Sequence, residues 1–311
     1  MRGRAVILYC VCCLLWGSTW LVIKIGLDDL PPFLFGGIRM SIASAILAPW
    51  VFRQGWPNLP TQHWAGMAKV GLLQMGLSYA AIFAAERFIS SGLTAVLFCT
   101  FPIWVIGLAH HLVPNERLTR AHILSAALGV LGIVVLEAPS LTLQPAPGVG
   151  LALVLPLAAA VSSALGNVLQ KRWLSGVPLA LNLWTQTLCG AVLLLSMHFA
   201  VEPAGLARWT PRAYGSVLYL SVLGTVLAFL CLFWLIPRVP MVVIGIIPVI
   251  DTVIAVALGS AVLHEPLGGR FLLGGAMVLA GAALASRARS PIAAPLRVIA
   301  RLSRTPNPQS K

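Results

Sequence analysis

Stretches of about 18 or more residues almost free of charge recur from one end of this chain to the other. Each can cross a hydrocarbon core of ~30 Å as an α-helix. Lipid offers no partner to a bare peptide group, and a helix satisfies its backbone within one segment. About ten such segments are legible, near 5–25, 32–52, 65–85, 92–112, 120–138, 149–170, 180–200, 213–235, 241–263 and 268–286. Only 9% of the residues are charged, against about 25% in a soluble domain, which excludes an ordinary wet surface. Pro102, Pro156 and Pro248 fall inside segments, where membrane helices tolerate them better than soluble ones do. The expected fold is an all-α membrane protein with about ten transmembrane helices.

The chain also reads twice. Setting residue i beside i+147 aligns Lys24 with Lys171, Pro31 with Pro178 and Arg39 with Gln186. A shift of 149 aligns Glu116-Arg117-Leu118 with Glu265-Pro266-Leu267, and Gly132 with Gly281. Two similar apolar halves mark a transporter built from repeats. Five helices per half is an odd number, so the second repeat must enter the membrane from the opposite side. The expected units are residues 1–139, 148–286 and a basic tail over 287–311, with the proline-rich joint Pro139–Pro147 between the repeats.

The net charge of +13 would suit nucleic acid, but its distribution points to a membrane and no nucleic-acid partner. With the N-terminus inside, Arg2, Arg4, Arg53, Lys69, Arg117, Arg120, Lys171, Arg172 and Arg238 lie on the inner side. Lys24, Arg87, Arg208, Arg212 and Arg270 lie on the outer side. The excess follows the positive-inside rule and puts both termini in the cytoplasm. Met1-Arg-Gly-Arg4 and its apolar run meet no small-residue cleavage site before Lys24, so a retained first helix is expected. The tail is expected either as a disordered basic end or, through Leu296, Ile299 and Leu302, in contact with anionic lipid. All six cysteines lie in apolar segments without metal-ligand spacing and are expected to pack.

Each ionisable residue inside a membrane helix asks for an explanation, since it costs roughly 2.5–3.5 kcal/mol on insertion scales. Asp251 falls near the middle of the ninth segment, three residues after Pro248. It suits a cation, a proton or a substrate ammonium, or else ties helices together. Arg39 lies about 10 Å deep in the second segment. It suits a carboxylate or phosphate, or an internal pair with Glu86 or Asp251. Lys24, Glu86 and Arg87 share the outer side, as a gate or as interfacial anchors. Glu116 and Glu265 are expected as helix-start acids.

In the sixth segment Ser163, Gly166, Asn167 and Gln170 share one helix face, and the 147 offset sets them on Trp16, Thr19, Trp20 and Ile23. The two faces would line a path with amides and indoles, or mediate helix packing. Tyr79 and Phe83, with Phe98, Phe101 and Trp104, are further candidates for the lining or for an aromatic belt. No phosphate-binding loop or plausible metal cluster is present, so no cofactor is expected.

The segment Trp16-Gly-Ser-Thr-Trp-Leu-Val-Ile-Lys24, then Pro31, Pro32 and Arg39, resembles the opening of an EamA-type repeat of the drug/metabolite transporter superfamily. Ser91-Gly-Leu-Thr-Ala-Val-Leu-Phe-Cys-Thr-Phe-Pro102 with Glu116, and Ile247-Pro248-Val249 with Glu265, are similar to the later part of each repeat. The resemblance implies ten helices in two inverted repeats, a cavity between them, and export of small metabolites such as amino acids. Pro248 stands seventeen residues before Glu265, whereas Pro102 stands fourteen before Glu116, so a longer or irregular ninth helix is expected.

The expected protein is thus an alternating-access carrier of the inner membrane for a small polar or zwitterionic metabolite. Protons are a candidate coupling ion, and a monomer or homodimer in contact with membrane lipids is expected. A cationic-drug efflux carrier is the alternative within the class. A lipid-acting intramembrane enzyme or a structural protein stands outside it, without a clustered nucleophile and base to support the enzyme.

Overall fold

The computed structural model describes residues 2–55, 57–89, 94, 97–114, 116, 118–137, 148–263 and 269–287. The joint over 139–147, Glu265 and the basic tail from 288 onward lie outside the described residues. Ten helices run through the rest: α1 Arg2–Leu27, α2 Pro32–Gln54, α3 Thr61–Ala85, α4 Phe101–Leu112, α5 Arg120–Glu137, α6 Val149–Trp173, α7 Leu179–Val201, α8 Pro211–Leu235, α9 Ile247–Leu263 and α10 Gly269–Arg287. Six of them (α1, α2, α3, α6, α7 and α8) are long and apolar enough to cross a membrane, and the other four carry shorter apolar stretches. The all-α reading of the sequence therefore holds.

Helix ends follow the repeat. Pro31 and Pro178, matched at the 147 offset, stand at the N-caps of α2 and α7, where a missing N–H costs nothing. Equivalent helices α3 and α8 each widen into a π-helical stretch, Leu72–Leu77 and Leu220–Leu227. Such widened turns often accompany functional sites, because they redirect backbone groups. Helix α9 runs 17 residues from Ile247 against 12 in α4, and a separate turn, Met241–Gly245, precedes it. The irregularity expected near Asp251 sits on the chain just before that residue.

The two halves are interleaved. Helix α1 packs on α9 and α4 on α6, while α2 packs on α7 and α5 on α10. Exchanging each helix for its repeat mate turns the first pair into the second and leaves the last two unchanged. Duplicated halves related by a pseudo-two-fold axis make this pattern.

Lipid tails are as apolar as leucine, so helices in a bilayer gain most from close packing between small residues. The α5–α10 contact shows this at Gly132 and Gly281, which the sequence matches across the repeat. A Cβ on Gly132 would stand 2.7 Å from the Gly274 carbonyl oxygen, and one on Gly281 would stand 2.8 Å from that of Ser125. The Ser125 hydroxyl donates to the Gly281 carbonyl at 2.8 Å. Gly132→Val should therefore push α5 from α10 and destabilise the protein by about 1–3 kcal/mol. A thermal unfolding scan in detergent checks this, with Ala127→Val on the same helix as the comparison.

Candidate functional site

Helices α1, α2, α3, α4, α6, α8 and α9 enclose a central cavity of about 100 Å³. Trp16, Thr19, Trp20, Arg39, Tyr79, Ser163, Asn167 and Asp251 all line it, with Gln74, Ser78, Phe98, Phe101 and Phe229 among the rest. The polar face of α6 and the indole face of α1 thus meet across one space.

Arg39 is 1% exposed and has no carboxylate partner among the described residues, so it pairs with neither Glu86 nor Asp251. Its Nε donates to Thr225 Oγ1 at 2.8 Å, and its Nη2 to the Gly224 carbonyl at 3.2 Å and to the Tyr79 hydroxyl at 3.4 Å. The guanidinium carbon lies 4.8 Å from the centre of the Tyr79 ring, a cation–π contact. Nη1 is buried without a partner among the described residues.

The widened turn of α8 builds this cradle. Thr225 donates its own hydroxyl proton to the Leu220 carbonyl five residues back, leaving its oxygen to accept from Arg39. The Gly224 carbonyl also accepts from the Trp16 indole at 3.1 Å. A Cβ on Gly224 would stand 2.9 Å from Thr19 and 3.2 Å from Arg39, so only glycine admits both neighbours.

Asp251 is 4% exposed and lies beside Thr252, whose hydroxyl donates to the Pro248 carbonyl at 2.8 Å and approaches Asp251 Oδ1 at 3.5 Å. Gln74 donates to Asn167 at 3.3 Å and leaves its Oε1 buried without a partner among the described residues. Arg39 with an unpaired donor, Gln74 with an unpaired acceptor and the acid Asp251 thus all belong to the wall of one space that aromatic rings also line.

Four nominated residues stay out of the cavity: Phe83 is fully buried against Phe35, Gly166 packs on Gln74, and Gln170 and Trp104 lie elsewhere. Gln170 lies one turn beyond Asn167, 2% exposed, and accepts from Gln186, which also donates to Asn182 at 2.7 Å. Trp104 is 42% exposed. On α4 the buried stripe runs through Phe101, Val105 and Ala109, and Trp104 falls beside it.

Polar groups gather at two opposite helix ends, and the two ends differ. At one, Glu116 of the first half accepts from Lys171 Nζ at 2.7 Å and from the Met241 N–H at 3.1 Å, and Lys171 also donates to the Val239 carbonyl. Glu116 therefore caps the Met241 turn of the opposite repeat and not its own helix, as the sequence had suggested. The space left beside it is about 10 Å³. At the other end Lys24 is exposed and lines a polar vestibule of about 350 Å³ with Asp28, Asp29, Glu86, Arg87 and Glu202. Ile23 and Ile82, neighbours of Lys24 and Glu86 along α1 and α3, line the central cavity, so the vestibule lies directly over it. Glu202 is fixed there by the N–H groups of Phe33 and Leu34 and by His198, and no sequence signal pointed to it.

The EamA-like transporter family matches residues 3–137 and again residues 150–287. The chain belongs to this family. Its relatives include the uncharacterized transporter YoaV of Bacillus subtilis (strain 168), 29% identical over 86% of this chain and 91% of that one. A probable amino-acid metabolite efflux pump of Salmonella typhimurium is 28% identical over 86% and 89%. The uncharacterized inner membrane transporter YedA of Escherichia coli (strain K12) is 26% identical over 82% and 81%. A solved chain described only as a crystal structure of protein shares the fold, with TM-score 0.78 at 20% identity over 98% of this chain and 100% of its own. The protein is a multi-pass membrane transporter for a small molecule, not an enzyme.

Thr225→Val keeps the shape of the cradle and removes its acceptor. With Nε of a buried guanidinium left unpaired, stability should fall by about 1–3 kcal/mol. Serine at the same position should restore most of the loss, a comparison that thermal unfolding can make.

Proposed function

We propose that this transporter exports a small polar or zwitterionic metabolite, such as an amino acid, across the inner membrane by alternating access. The observation that carries the reading is the buried guanidinium of Arg39, a residue of the cavity wall whose Nη1 has no partner among the described residues. A planar cation without an acid of its own suits a substrate carboxylate. Asp251 would take the substrate ammonium or a coupling proton, and Trp16, Trp20, Tyr79 and Phe98 would pack on the remainder. The printed description of the Salmonella relative agrees with this chemistry, and that of the Escherichia coli relative with the membrane.

In this reading residues 1–139 and 148–286 act as the two rocking units, with both termini cytoplasmic. The Lys171 mouth then faces the cytoplasm, closed by Glu116, and the Lys24 vestibule faces outward. Export proceeds by breaking the first closure and sealing the second around a midplane site. Asp251 and the aromatic walls favour a second reading, a carrier of organic cations.

A binding screen separates the two. The purified protein is melted with amino acids, other carboxylates and quaternary ammonium compounds, since a ligand of the folded state raises the melting temperature. The proposal expects stabilisation by carboxylate-bearing zwitterions, with affinity falling about tenfold or more in Arg39→Ala. Stabilisation by cations that lack a carboxylate, unchanged in Arg39→Ala and lost in Asp251→Asn, would establish the second reading instead.

A further inference from the structure

Three acids are buried among the described residues, and two have partners. Glu202 accepts from two backbone N–H groups, and Asp251 lies beside the Thr252 hydroxyl. Glu86 differs. Both of its carboxyl oxygens are buried without a hydrogen-bond partner among the described residues. It stands at the C-cap of α3, the negative end of that helix, where a second negative charge is disfavoured. An ionised carboxylate cannot stay in such a place at low cost, whereas a protonated one can.

Glu86 nevertheless borders water, because it lines the polar vestibule. The charged groups facing it there are Lys24, Asp28 and Asp29 from the end of α1, Arg87 beside it, and Glu202 from the end of α7. Asp29 accepts from Thr210, and Glu202 is engaged as above; of the two cations there, Lys24 and Arg87, Lys24 is the one whose charge acts on Glu86. Helix α6 carries no titratable side chain before Lys171, and the titratable group of α2 nearest its vestibule end is Arg39, held by Thr225 and Gly224. Burial raises the Glu86 carboxyl from an ordinary 4.5 to about 7, with Lys24 pulling the other way.

We propose that Glu86 is a proton-exchange site of the vestibule, carrying a proton while this mouth is open and pairing with Lys24 when the proton leaves. The step balances simply: the carboxylate takes a proton from hydronium in the vestibule, leaving water, and returns it to water when Lys24 approaches. Acidity on the vestibule side would thereby hold the mouth open, and loss of the proton would favour its closure. The inference rests on the reading above for the opening and closing of this mouth and for naming that side outward.

Proton binding can be read directly, without a known substrate. Infrared difference spectra of the protein in liposomes, taken between about pH 5 and about pH 9, report the carbonyl stretch of any carboxyl that titrates. The expected result is a band with its midpoint near 7 that is absent in Glu86→Gln and retained in Asp251→Asn, whatever else titrates. Lys24→Met should keep the band and move its midpoint upward. Melting supplies a second readout. Between 4.5 and about 7 the folded state binds the extra proton, so the melting temperature should fall as pH rises through that window, and this fall should vanish in Glu86→Gln. Persistence of the band near 7 in Glu86→Gln, a midpoint indifferent to Lys24→Met, or no band near 7 would overturn the proposal.

Discussion

A guanidinium held out of water in the middle of a helix bundle is the constraint on which the centre of this protein depends. Arg39 has no carboxylate to neutralise it among the described residues, so its charge is stabilised by neutral oxygens and an aromatic face. That requirement explains the widened turn in α8, the bare Cα of Gly224, and the twofold use of the Gly224 carbonyl by Arg39 and Trp16. It also leaves Nη1 without a partner among the described residues.

The pseudo-two-fold arrangement makes the departures from symmetry informative. Gln186 stands where Arg39 stands in the other half, and it closes a neutral chain of amides with Gln170 and Asn182. One half thus supplies a charged site, and the other a packed polar core. Lys171 and Lys24 are likewise mates, yet the first is tied to Glu116 while the second is exposed in a polar vestibule. The repeat mates thus differ in their charge partners, a closed ion pair at one end and an exposed lysine in a polar vestibule at the other.

Much of the fold was legible because membrane helices announce themselves by length and hydropathy. The matched pairs Pro31 with Pro178 and Gly132 with Gly281 were legible too, and they mark helix caps and a close helix contact. Contacts between distant helices were not. Thr225 and Gly224 meet Arg39 across more than 180 residues, through a turn whose widening has no sequence signature known to us. Glu116 looked like an acid at the start of its own helix, since spacing along one chain cannot show a cap lent to the other repeat. Trp104 shared an aromatic cluster with Phe98 and Phe101, but helix phase sets it beside the buried stripe.

Sidedness of the cavity tests the central claim most directly. With the native cysteines replaced, Ser163→Cys places one thiol on the cavity wall, and a membrane-impermeant thiol reagent is applied to oriented vesicles from either side. The account predicts labelling from the Lys24 side alone, with labelling from the Lys171 side appearing once Glu116→Gln removes the closing charge. Equal labelling from both sides in the parent, or none from the Lys171 side after Glu116→Gln, would contradict it.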